Sequence, residues 1–95
     1  MAEKLNEESI LGWMRRHVGW KHEGDVLVKD FSLGSFRDSI VFVNRLASLS
    51  DDANHHPDID VRFDRVRVSL TTHDAGGITE KDVALAEQID FATSR

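Results

Sequence analysis

The sequence predicts an α+β fold: a single domain, ordered α-β-β-α-β-β-α, with its helices packed on one face of a four-stranded antiparallel sheet. Three observations predict it. Residues 58 to 70 hold two stretches of strict apolar/charged alternation that meet at a tight turn. A long run of helical periodicity precedes them, and a Thr-x-x-Asp helix start follows them.

Taken in chain order, Glu7 to Arg16 reads as a short helix with Ile10, Leu11 and Met14 on one side and Asn6 or Ser9 as its cap. Trp20 opens a strand-like stretch, and His22-Glu23-Gly24-Asp25 reads as the turn before the next strand. Val26 to Leu33 alternates, with Val26, Val28 and Phe31 expected to face one way, although Lys29-Asp30 breaks the pattern.

Ser35 to Leu49 is the strongest helix. Phe36, Ile40, Val43 and Ala47 form one apolar stripe, and Phe42, Leu46 and Leu49 form a second beside it. Two readings of that surplus stand side by side: a wide core face, or a face partly committed to another subunit.

Ile59, Val61 and Phe63 alternate with Asp58, Asp60, Arg62 and Asp64; Val66, Val68 and Leu70 alternate with Arg65, Arg67 and Ser69. The turn is expected at Asp64-Arg65. Each strand offers one apolar and one charged face, as in a sheet covered on one side. Thr79 to Phe91 is the last helix, with Leu85, Ala86 and Ile89 continuing the face that Asp82 begins.

The 95 residues make one domain, 1–95, in which 40% are hydrophobic and 31% charged, a globular composition. A core this small favours oligomerisation as a remedy for marginal stability. The formal charge of −5 offers no footprint for a phosphate backbone, so nucleic acid is not an expected partner. The absence of cysteine excludes disulfides and thiolate chemistry. No signal-like or membrane-length apolar run is present, and a cytoplasmic location is expected.

Chemistry concentrates in one window. Three of the five histidines, His55, His56 and His73, flank the predicted hairpin. A hairpin returns its chain to where it began, so the loop before the first strand and the loop after the second are neighbours. His55, His56 and His73 should converge at one end of the sheet, and Asp82, in the first turn of the last helix, can reach the same place. Imidazole gives and takes protons near neutrality, and a carboxylate behind it fixes its tautomer. Asp51 and Asp82 are the candidates for that role, while Asp82 also reads as a plain helix cap. His17 and His22 read as ordinary surface histidines. Gly76-Gly77 reads as a turn, or as a place where backbone approaches a flat ligand. Zinc is the rival for a histidine set of this kind. Adjacent histidines diverge, however, and the helical spacings usual in zinc sites are absent. No nucleophile elbow is present.

Asp51-x3-His55-His56-Pro57, then Phe63, then Thr72-His73-Asp74-x-Gly76-Gly77-x-Thr79-x-x-Asp82 closely resembles the signature of the pterin-4a-carbinolamine dehydratase family. Gly19-Trp20, Phe31 and Phe36 look like further family positions, and the resemblance covers about residues 10–90. Three departures are visible: Asp51 stands where many members carry glutamate, Phe63 where tyrosine is common, and Ile59 where some have tryptophan. The resemblance implies dehydration of 4a-hydroxytetrahydropterin to quinonoid dihydropterin, the recycling step after an aromatic amino acid hydroxylase, with no cofactor and no metal. It implies catalytic roles for His55, His56 and His73, and substrate-binding or orienting roles for Asp51, Asp82 and Phe63. It also implies a homodimer or homotetramer. The alternative is a non-catalytic pterin-binding or protein-interaction module of the same fold, such as a dimerisation cofactor or assembly factor, for which Phe42, Leu46 and Leu49 would be the anchors.

Overall fold

The computed structural model describes residues 3–93. Helix α1 (Glu7–Arg16) begins where Asn6, in an extended conformation, accepts the Ser9 amide at 2.8 Å. Acids in its first turn and Arg15-Arg16 in its last complement the helix dipole. It buries Ile10 and Trp13. His17 closes it: Nδ1–H donates to the Trp13 carbonyl at 2.8 Å, and the ring stacks on Trp13 with centroids 4.3 Å apart. His17 is therefore a half-buried helix-end residue rather than an idle surface histidine.

Strands β1 (Lys21–Glu23), β2 (Val26–Ser32), β3 (Asp58–Arg62) and β4 (Arg65–Leu70) form one sheet in the order β1-β2-β4-β3, antiparallel throughout. The first turn is tighter than the expected four residues, because His22 and Glu23 belong to β1 and only Gly24-Asp25 turn. In β2 the expected grouping of Val26, Val28 and Phe31 splits, with Phe31 on one face and the two valines on the other. Leu27, Lys29 and Phe31 sit opposite Leu70, Val68 and Val66 on the covered face, while Val28 pairs with Ser69 on the other. A lysine in the apolar row hid that alternation. Its ammonium reaches Asp90 Oδ1 at 2.8 Å, so the charge is neutralised where an apolar side chain would ordinarily stand.

Helix α2 (Phe36–Ala53) starts at Ser35, whose Oγ accepts the Asp38 amide, and runs four residues beyond Leu49. Its buried positions are Ser39, Phe42, Leu46 and Ser50. The expected anchors Phe42 and Leu46 are thus core residues of this chain, 3% and 0% exposed, while Leu49 packs against the same core but stays half-buried. Phe42 and Leu46 therefore have no free side-chain surface to offer a partner. Of the other stripe, Phe36, Ile40 and Ala47 are exposed and Val43 packs against the core; Val41, between the stripes, is exposed too.

The β3–β4 turn falls on Phe63-Asp64, one residue earlier than expected, because Arg62 pairs with Arg65. Phe63 takes a left-handed conformation, φ 54, an uncommon choice for a bulky residue at a position that usually recruits glycine or asparagine. Helix α3 (Glu80–Thr93) buries Asp82, Leu85, Ala86 and Ile89, as its sequence face predicts. Faces of all three helices meet Leu27, Phe31, Val66, Val68 and Leu70 in one cluster, and the opposite sheet face carries charge. Among the described residues no helix is long and apolar enough to cross a membrane.

Candidate active site

The end of α2 builds the first half of the site. Asn54 adopts a left-handed conformation (φ 51, ψ 43), its amide reaches the Asp51 carbonyl, and the His55 amide bonds back to the Ser50 carbonyl at 3.1 Å. These bonds satisfy helix-end carbonyls and reverse the chain. The reversal lays His56 over the last turn of α2, where Nε2 meets Asp51 Oδ1 at 2.9 Å. Both side chains are open to solvent, at 59% and 76% exposure. Pro57 then leads into β3, its fixed φ suited to the first step of an edge strand.

The second half comes from the loop after β4. Thr72 and Gly77 bridge as antiparallel partners, closing a loop in which His73–Ala75 forms a short 3-10 helix. Gly76 ends that helix at φ 76, a conformation that costs glycine little and other residues more. His73 emerges exposed from this turn, immediately beside Thr72.

Asp82 joins the halves. It has no exposed surface. Oδ1 lies 2.6 Å from Nε2 of His55, whose side chain is 10% exposed. Oδ2 accepts the Thr72 hydroxyl at 2.8 Å and the Thr79 amide at 2.9 Å. The Thr79 Oγ1 sits 2.8 Å from that of Thr72 and accepts the Lys81 amide at 3.2 Å. Asp82 is thus the returning carboxylate of a capping box and the buried partner of an imidazole at once. A buried carboxylate is tolerated where every lone pair facing protein has a donor, and Asp82 meets that condition.

The structure therefore pairs His55 with Asp82 and His56 with Asp51, and places His73 one residue from the Asp82 network. It does not bring Phe63 to them. That side chain sits at the opposite end of the hairpin, the length of β3 or roughly 16 Å away, and is 70% exposed. Among the described residues no three His, Cys, Asp or Glu side chains are grouped to hold one metal ion. Sequence reading placed Thr72 and Thr79 in the family signature but gave neither a role in the site. Parity was the available signal, since Thr72 continues the buried row Val66, Val68, Leu70.

Charge elsewhere is concentrated on the open sheet face. Arg67 grips Asp30 through two hydrogen bonds of 2.8 and 3.1 Å, and this bond holds the Asp30 carboxyl below the usual carboxylate range.

Comparison with known proteins identifies the family and the fold. Residues 3–92 match the family model described as Pterin 4 alpha carbinolamine dehydratase. A Thermomicrobium roseum protein, provisionally named a pterin-4-alpha-carbinolamine dehydratase, is 45% identical over 86 residues, covering 90% of this chain and 92% of its own. A Chloroflexus aurantiacus protein with the same provisional name is 48% identical over 87 residues, covering 92% and 94%. Among solved structures, a transcriptional coactivator/pterin dehydratase from Brucella melitensis superposes with TM-score 0.90 at 25% identity, covering 94% of this chain and 97% of that one. A pterin dehydratase-like protein identified as a RuBisCO assembly factor in the alpha-carboxysome gives TM-score 0.67 at 27% identity, covering 82% and 93%. The fold and its histidine-carboxylate site define a small α+β protein of the pterin dehydratase type. The chain belongs to the pterin-4-alpha-carbinolamine dehydratase family.

Proposed function

We propose that this chain dehydrates 4a-hydroxytetrahydropterin to quinonoid dihydropterin and water by histidine acid–base catalysis. The observation that carries the reading is the 2.6 Å contact between His55 and the buried Asp82, which presents an oriented imidazole at the surface. The substrate is a carbinolamine, with a hydroxyl on C4a next to N5. An acid protonates the departing hydroxyl as the C4a–O bond breaks, the N5 lone pair forms the C4a=N5 double bond, and a base removes the N5 proton. The balance is one substrate to one product and one water. His55 is the leading acid–base residue. His73 is the second proton acceptor and a pterin contact, and His56 binds substrate and assists proton transfer. Assistance of this kind is worth about 10²–10⁴-fold.

In this reading the protein is a homodimer or homotetramer in the cytoplasm, needs no cofactor, and serves an aromatic amino acid hydroxylase. The test is a stopped-flow dehydration assay on freshly generated 4a-hydroxytetrahydropterin. His55→Ala should lower kcat by about 100-fold or more; a near-normal kcat would remove His55 from the mechanism.

A second reading is a non-catalytic assembly module, suggested by the relative identified as an assembly factor and by exposed Phe36, Ile40 and Val41 on α2. Charged substitutions at Phe36 and Val41 that abolish a protein interaction while leaving dehydration intact would separate the two.

A further inference from the structure

Nδ1 of His55 makes no hydrogen bond to any described residue, and among those residues no buried side-chain nitrogen or oxygen lacks a partner. Nδ1 is therefore the solvent-open nitrogen of a side chain that is otherwise almost enclosed. Which nitrogen carries the hydrogen follows from the bonds behind it. Each threonine hydroxyl has one proton to give. Thr72 gives its proton to Asp82 Oδ2, so the Thr79 hydroxyl must donate to Thr72, and Thr79 in turn accepts from the Lys81 amide. The chain has one direction: Lys81 N–H to Thr79, Thr79 to Thr72, Thr72 to Asp82. Together with the Thr79 amide it puts two donors on Oδ2 and leaves Oδ1 as the acceptor facing His55.

From this we infer that Thr72 is a positioning residue. Through Asp82 it holds neutral His55 in the Nε2–H tautomer, so that Nδ1 is the nitrogen that exchanges a proton with a ligand. The inference deepens the proposed dehydratase reading by naming the reacting atom, but the tautomer can be read without any substrate. Thr72 itself touches no ligand and acts only by fixing Asp82.

Long-range proton–nitrogen NMR of the nitrogen-15-labelled protein reports which ring nitrogen is protonated. The wild type should show His55 protonated at Nε2 in its neutral form. Thr72→Val keeps the shape and removes the donor. It should raise the Nδ1–H share and lower kcat roughly five- to tenfold, the equivalent of one hydrogen bond, with KM little changed. Thr72→Ser should restore both. A wild-type ring protonated at Nδ1, or a folded Thr72→Val with unchanged His55 signals, would overturn the inference. Should Thr72→Val fail to fold, Thr79→Val removes the preceding donor, and unaltered His55 signals there count equally against it. A wild type that shows the Nε2–H ring but no dehydration would uphold this inference and sink the proposed reaction.

Discussion

Nε2 of His55 and Oδ1 of Asp82 stand 2.6 Å apart, and Asp82 is wholly buried while His55 keeps one edge in water. This pairing ties the proposed acid–base residue to stability. Asp82→Ala would strip partners from the Thr72 hydroxyl, the Thr79 amide and His55 together. The expected cost is about 1–3 kcal/mol for each buried donor left unsatisfied, read by urea denaturation. Asp82→Asn keeps the shape and should cost less stability, yet its amide can present N–H₂ to the ring. Dehydration should then fall by about 100-fold or more.

His56 and Asp51 make the same type of contact in a different setting. Both are largely exposed, so water competes for each group. Asp51→Ala should change stability by less than about 1 kcal/mol, while any effect on dehydration appears in kinetics alone. A large stability loss in this variant would mean that the end of α2 depends on the pair.

How far the sequence exposes all this depends on the element. The hairpin is legible because water on one side and core on the other impose alternation on β4, while β3 repeats the pattern at the sheet edge with its apolar row, Ile59 and Val61, only partly covered; His55 and His73 follow from the hairpin. In α2 two apolar stripes compete. The row that is buried, Ser39, Phe42, Leu46 and Ser50, is masked by two serines whose hydroxyls bond back to the Ser35 and Leu46 carbonyls and so enter the core satisfied. The expected role of Phe63 at the histidines came from resemblance alone, and the hairpin carries that side chain to its far end. The Thr72-Thr79-Asp82 network was hidden because a capping motif explains Thr79 and Asp82 without it.

The two faces of α2 should separate cleanly in experiment. Leu46 has no exposed surface, so Leu46→Ala should cost about 2–5 kcal/mol. Ile40→Ala, on the outward stripe, should cost far less in the isolated chain. Equal losses would show that the outward stripe is covered in solution.

The open sheet face gives a pH prediction. Asp30 has its folded pKa lowered, chiefly by the hydrogen bond from Arg67 and opposed by partial burial. A depressed carboxylate stabilises the fold at pH above its unfolded value, and that stabilisation is lost as pH falls through the lower folded value. Arg67 moves upward from an already high value and adds no titration there. Arg67→Gln should therefore be less stable than wild type at neutral pH, and the gap should close in acid, as pH falls below the ordinary carboxylate range. Added salt should narrow it at neutral pH, since the pair is exposed. A gap that persists in acid would assign the loss to packing of the arginine stem.

Asp90 provides the last test, because it explains why a lysine is tolerated on the covered face of β2. Its two oxygens divide the work: Oδ1 takes the Lys29 ammonium at 2.8 Å and Oδ2 takes the Trp20 indole N–H at 2.9 Å. The ammonium also lies 4.9 Å from the Phe31 ring centroid and 5.8 Å from that of Trp20. Removing the carboxylate leaves the Trp20 indole N–H without its acceptor and the Lys29 ammonium with only the Val18 carbonyl at 3.3 Å, whereas removing the ammonium leaves a carboxylate that still holds Trp20. Asp90→Ala should thus cost about 1–3 kcal/mol, and Lys29→Met, which keeps the apolar stem against the rings, should cost less. In the double variant the two losses should not add, because the lysine no longer needs a partner. Additive losses in urea denaturation would show that Lys29 and Asp90 act independently, and that the lysine is held on this face by its stem, the aromatic rings and its bond to the Val18 carbonyl.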